Sequence, residues 1–187
     1  MSLTVAQMAV VKSDVLANND LNTQPHTADG FFEIARLYNL PPAVQQLVWR
    51  TEAPVSAIFD AITWANFTPN DVADVTALYT NRVLLIQTKQ MNLQNMLVGR
   101  LTLDASKLNI RVGLRDAVIQ LPAGTAGALV SAGGAGGVTV LTACTRNATR
   151  IEKLLSSTVA AIGGVTANLL GFEGNVSDGD IAQVLAN

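Results

Sequence analysis

The sequence predicts a mainly α-helical protein, on three observations. Apolar residues recur at three- and four-residue spacing through most of the chain. From Asn70 to Val98 neither Pro nor Gly interrupts that pattern. The apolar content, 49% of the residues, comes largely from Ala, Val and Leu with only 5% aromatics, and 14 glycines add to it, a mixture suited to closely packed helices with small contact residues. The expected architecture is a helical bundle with one long central helix, a Gly/Ala-rich segment and a short extended C-terminal arm. Residues 1–157 are expected to form the helical body and residues 158–187 the arm, which ends in a short helix.

Taken in order, a first helix is expected from Leu3 to Ala17. Thr4 and Gln7 have capping-box spacing, and Val5, Met8, Val11 or Val15, and Leu16 form its stripe. Asn18 to Pro25 reads as a polar loop. A second helix begins near Asp29 and ends at Asn39, before Pro41-Pro42. Leu47 to Thr51 is a short extended segment, and Pro54 suits the first turn of a helix running to about Ile62. Thr68 and Pro69 then open the long helix, with Asp71 adding favourable negative charge to its first turn. Its stripe runs Val72, Val75, Tyr79, Val83, Ile86, Gln90, Leu93 and Leu97, with Leu78 and Leu85 widening it.

Gly99 is the natural stop of that helix. Asn109 is expected to cap the next, whose stripe is Ile110, Leu114, Ala117 or Val118, and Leu121, ending at Pro122-Ala123-Gly124. Between Gly124 and Gly137, Ala128 to Ala132 could be helical, whereas Gly133 to Gly137 must be a loop or a close backbone contact. A last substantial helix is expected after Thr145 or Asn147, carrying Ile151, Leu154 and Leu155. Asn168 to Glu173 reads as a strand or extended arm, and Ser177 with Asp180 caps a short helix over Ile181 to Leu185.

Composition limits the function classes. Charged residues make up 14% of the chain, against about 25% in an ordinary soluble domain, so the surface is either neutral-polar or partly covered by other subunits. A net charge of −2 argues against bulk electrostatic binding to nucleic acid or anionic membrane. No charge falls between Asp116 and Arg146 or between Lys153 and Glu173, lengths that could span a bilayer. Both stretches are broken by Gly, Ser, Thr or Pro and lack the Leu/Ile/Phe density that drives insertion, so no membrane span is expected. The N-terminus has neither a basic region nor a continuous apolar run, and no signal peptide is expected.

Catalytic chemistry finds little to stand on. The one histidine, His26, sits in a polar loop and reads as solvated. The one cysteine, Cys144, lies among Thr142, Ala143 and Thr145 and reads as a small buried hydrophobe. One His and one Cys do not make a common zinc site, and no phosphate-binding glycine motif is present. Asp178-Gly179-Asp180 suggests calcium, but helix capping accounts for it better. Asp71 and Asp74 share a face in a first helical turn, where negative charge is structurally favourable. No enzyme, cofactor or metal is therefore expected.

The basic residues are more organised. Arg146, Arg150 and Lys153 are expected on one face of the last helix, and Arg111 and Arg115 are paired at i,i+4; both sets read as solvated faces or as ion pairs with a partner subunit. Trp49, Arg50 and Phe172 are candidate interaction residues, because large aromatics and arginine dominate interface energetics. The alternative for each is a core tryptophan, a surface arginine and a phenylalanine packed on its own domain.

Five blocks, in this order, carry a resemblance: Asp29-Gly30-Phe31-Phe32-Glu33-Ile34-Ala35-Arg36-Leu37-Tyr38-Asn39; Val48-Trp49-Arg50-Thr51 with Pro54-Val55; Asn109-Ile110-Arg111-Val112-Gly113-Leu114; Ala148-Thr149-Arg150-Ile151-Glu152-Lys153-Leu154-Leu155; and Leu170-Gly171-Phe172-Glu173-Gly174. Their order and spacing resemble an uncharacterised protein family of tailed bacteriophages and prophages. The resemblance implies a virion structural component, made in the host bacterial cytoplasm and partnered by copies of itself and by other phage structural proteins. A head–tail connector is the first placement, and a capsid decoration or tail-accessory protein the next. A non-virion phage binding module acting on a host protein is the other class. No sequence-specific nucleic acid and no membrane is expected among the partners.

Overall fold

A computed structural model of the protein describes residues 3–67, 77–118 and 137–186. The described residues are mainly helical, with short strands. The chain divides into two compact units. Unit 1 holds residues 1–48, 147–159 and 167–187, and unit 2 holds residues 49–146 and 160–166. This differs from the expected body over 1–157 and arm over 158–187, because residues 167–186 pack with the N-terminal helices rather than standing apart.

Unit 1 begins with α1 (Val5–Ala17), which the Thr4/Gln7 capping box starts as expected: Thr4 N–H donates to Gln7 Oε1 at 2.9 Å and Gln7 N–H to Thr4 Oγ1 at 3.3 Å. Val11 and Val15 are buried, but Val5 is 84% exposed and Leu16 is exposed too, so the expected stripe splits between two faces. The polar loop after α1 contains a single helical turn, α2 (Asn19–Asn22), with Leu21 buried. Thr27 caps α3 (Ala28–Asn39), which buries Ile34, Ala35 and Tyr38.

The expected substantial helix after Asn147 is the five-residue α8 (Arg150–Leu154), capped by Thr149 with Glu152 in a second capping box. The last helix, α9 (Asp178–Ala186), starts where Ser177 and Asp180 were expected to cap it: Asp180 N–H donates to Ser177 Oγ at 3.1 Å, and Ser177 N–H to Asp180 Oδ2 at 2.9 Å. Helix α9 packs on α3 and α1, and its Ile181 and Val184 join Leu3, Val11, Ile34 and Ile151 in one core. The segment before it is also held within unit 1. Asn168 N–H donates to Leu47 O at 2.9 Å, Leu169 and Ser157 exchange backbone bonds, and Asn39 exchanges two with the backbone of Val176. The Asn168 N–H and both backbone groups of Leu169 are thus engaged within unit 1.

In unit 2, α4 (Val55–Ala61) follows Pro54 directly, which serves as its N-cap. Strands β2 (Ala53–Pro54) and β3 (Thr102–Leu103) pair antiparallel, Ala53 opposite Leu103 and Pro54 opposite Thr102; β3 had no sequence signal of its own. Helix α5 (Ala77–Leu97) buries Ile86, Leu93 and Leu97, and Leu84 and Leu85 are exposed. It stops at Gly99, whose φ of +76° a side chain would disfavour. Helix α6 (Leu108–Val118) packs against α5, and α7 (Gly137–Ala143) packs against α4 and α6. Asn109 lies inside α6 rather than capping it. The expected start at Thr68 and Pro69, with Val72 and Val75, and residues 119–136, with Leu121 and most of the Gly/Ala-rich segment, lie outside the described residues. Strands β1 (Leu47–Trp49) and β4 (Thr145–Asn147) carry the chain from one unit to the other.

Gly171 shows how closely the C-terminal segment is fitted in unit 1. A Cβ there would stand 2.3 Å from Leu155 O, and Gly171 O accepts a 2.7 Å hydrogen bond from Gln7 Nε2 on α1. Gly171→Ala is expected to destabilise the protein by roughly 2 kcal/mol, because backbone rather than a flexible side chain must move. Urea unfolding monitored by circular dichroism checks this, and an unchanged midpoint would contradict the fit.

Candidate interaction site

Helix α8 supplies the most elaborate polar constellation of unit 1. The Thr149 cap fixes the first turn, and the i,i+3 spacing then places Arg150 and Lys153 on neighbouring surface. Arg150 is held on several sides. Its Nη1 pairs with Asp20, its Nη2 donates to Asp20 Oδ1 at 3.3 Å, and Asp14 Oδ2 lies 3.9 Å away. Its guanidinium carbon sits 5.5 Å from the centroid of the Tyr38 ring, a cation–π contact. Tyr38 in turn donates its hydroxyl to Asp14 Oδ2 at 2.9 Å. Burial and the Asp14 carboxylate push the Tyr38 hydroxyl above its ordinary value, so it remains a donor at all physiological pH. The hydrogen bond from Arg150 holds the Asp20 carboxyl below its ordinary value of 3.8. Lys153 Nζ donates to Val44 O at 2.9 Å.

These side chains border an open groove of about 530 Å³, with Leu40, Pro41, Pro42, Val44 and Leu154 as its apolar walls. Two carboxylates and two cations line it and engage one another or nearby backbone, which suits a mixed apolar and hydrogen-bonding contact better than capture of a bare ion. Arg146 does not share the α8 face as expected. It lies on β4 and belongs to unit 2, because the helix begins four residues later.

Trp49, offered by the sequence as either an interaction residue or a core tryptophan, is a core residue of unit 2 with no exposed surface. Its ring carries the guanidinium carbon of Arg111 at 5.0 Å. Arg111 is buried as well, donating from Nη1 to Ala105 O at 2.8 Å and to Ser106 O at 2.6 Å, and burial lowers its pKa. Arg50 is half-buried and donates from Nε to Thr145 O at 2.9 Å. Phe172 is buried in the unit 1 core, so it too is interior rather than presented to a partner.

One presented aromatic, Trp64, escaped the sequence reading. Trp64 is partly exposed and stacks on Phe59, with ring centroids 5.5 Å apart and planes at 18°. Its signal was the Phe59/Trp64/Phe67 spacing, with Phe59 on α4 and Trp64 and Phe67 at the two ends of the short 3-10 turn Trp64–Phe67.

Reactive groups are sparse. Cys144 is buried, and burial pushes its thiol up to about 12, leaving almost no thiolate at neutral pH. His26 is exposed. Among the described residues no group of three His, Cys, Asp or Glu side chains is placed to hold a metal ion, and no helix is long and apolar enough to cross a membrane. Compared with protein-family models, curated proteins and solved structures, the chain matches none.

The Arg150 cluster gives a pH-dependent expectation. Asp20 has a depressed folded-state pKa, so its contribution is present above the ordinary carboxylate value and is lost as the pH falls below it. Arg150→Met should lower the unfolding free energy by about 1–2 kcal/mol at pH 7. Asp20→Asn should cost less than about 1 kcal/mol because the carboxylate is exposed. Urea titrations at pH 7 and at pH 3 check this. The difference between the wild type and Asp20→Asn should shrink at the lower pH, and a constant difference would contradict the assignment.

Proposed function

We propose that this chain is a multi-copy structural subunit of a tailed-bacteriophage particle, placed at the neck or tail, with a head–tail connector as its first placement. The observation that carries the proposal is the apolar character of the exposed surface on a chain so poor in charge. Large apolar side chains stand in solvent on both units, among them Val5, Phe32 and Val44 on unit 1 and Met91, Val98 and Leu101 on unit 2. A free monomer needs charge to remain dispersed, whereas a subunit packed among neighbours covers such groups. The resemblance in the sequence blocks supplies the phage context. On this reading α5 is the long helix of a helical body and serves as its scaffold. The partners are further copies and other particle proteins, and the mature location is the virion after synthesis in the host cytoplasm. No catalytic step is assigned.

Gradient-purified particles from a lysate that expresses the chain provide the test. Quantitative mass spectrometry should find it at a fixed, many-copy ratio to the major capsid protein, and disruption of its gene should leave heads and tails unjoined. Presence in the lysate with absence from the particles would overturn the proposal in favour of a non-virion phage protein.

A further inference from the structure

The two units carry opposite charge. Unit 1 has eight carboxylate and four basic side chains, and unit 2 has six and eight. Each also presents an apolar feature. On unit 1 a groove of about 360 Å³ runs beside α3 and the start of α9, walled by Phe32, Ala35, Leu40 and Val176 with Asp178 at its rim. Phe32 is 62% exposed, and Asp29 lies one helical turn before it. The Arg36 that also borders the groove is neutralised by Glu33, to which it donates two hydrogen bonds at 2.8 and 2.7 Å.

On unit 2 the turn between α5 and α6 projects Leu101, 90% exposed, with Val98 and Leu108 exposed nearby in sequence. Arg100 adjoins Leu101 and is exposed; Lys107, further along the same connection, is exposed too and lies 3.4 Å from Asp104. The backbone beneath is fixed: Arg100 N–H donates to Leu97 O at 3.2 Å, and Leu101 O accepts from Val55 N–H at 3.0 Å. A projecting leucine on an ordered turn loses little freedom on docking.

We propose that copies of this chain associate head to tail, the Leu101 turn on the net-positive unit of one copy seating in the Phe32 groove on the net-negative unit of the next. The choice of a second copy as occupant rests on the multi-copy reading above, and charge complementarity between the units favours it. The contact uses different surfaces on its two sides, so it repeats from copy to copy and builds a ring if the rotation closes or a filament if it does not.

Sedimentation velocity on the full chain over a concentration range tests this, with circular dichroism to establish that each variant is folded. The wild type should pass from monomer to multiples, and high salt should oppose the change. Phe32→Lys and Leu101→Lys, both at exposed positions, should each raise the dissociation constant on the order of a hundredfold and run as monomers. An equimolar mixture of the two retains one intact groove and one intact turn, and should form dimers and nothing larger. A wild type that stays monomeric at every concentration, variants that keep the wild-type mass, or a mixture that gives no dimer would each overturn the proposal. Absence from particles would remove the structural-subunit reading and leave these masses unchanged, so the two failures are distinguishable.

Discussion

Glu152 places its carboxylate in the interior of unit 1. One oxygen accepts from Thr149 N–H at 2.9 Å and the other from Gly174 N–H at 3.2 Å. A buried charge is costly unless several donors satisfy it, so this side chain ties together the segments that supply them. The first bond completes the cap of a helix too short to be stable alone. The second fixes the chain just after Phe172, which enters the core, and just before Val176, which is buried and bound by Asn39. From there α9 continues onto α3 and α1. The arrangement of unit 1 follows from that anchoring, as does the availability of the Phe32 groove, whose far wall is Val176.

Local signals were legible. The Thr4/Gln7 box, the Gly99 stop and the Ser177/Asp180 cap all act between residues three or fewer apart or through one residue's own backbone preference. The mainly helical character followed from periodicity for the same reason. Long-range relations were not legible. Nothing around Asn168 to Gly174 announces that Gln7, Asn39 and Leu47 will take up its backbone groups, so a segment with a weak helical pattern read as a free arm. The strand β3 and the helix α7 are too short, and α7 follows too many glycines, for a periodic signal to form.

The interaction site was less legible than the fold. Exposure decides whether an aromatic or an arginine meets a partner, and exposure is a tertiary property. Trp49 and Phe172 have the residue type of interface anchors and lie in cores, while Trp64 and Phe32 share that type and are exposed. Arg111 looked like one of a solvated i,i+4 pair, yet it is buried over Trp49 with two backbone carbonyls around it. The division into an acidic and a basic unit was equally hidden, because unit 1 is assembled from three separate stretches of sequence.

The core of unit 1 is complete only with the C-terminal residues packed into it, and amide hydrogen exchange of the full chain measures that most directly. The Ile181 and Val184 amides should be protected to the same degree as those of Ile34 and Ile151, reporting a common opening of one cooperative core. Exchange over residues 176–186 that is orders of magnitude faster than in α3 would show a segment that opens independently, and would contradict the anchoring by Glu152 on which the rest depends.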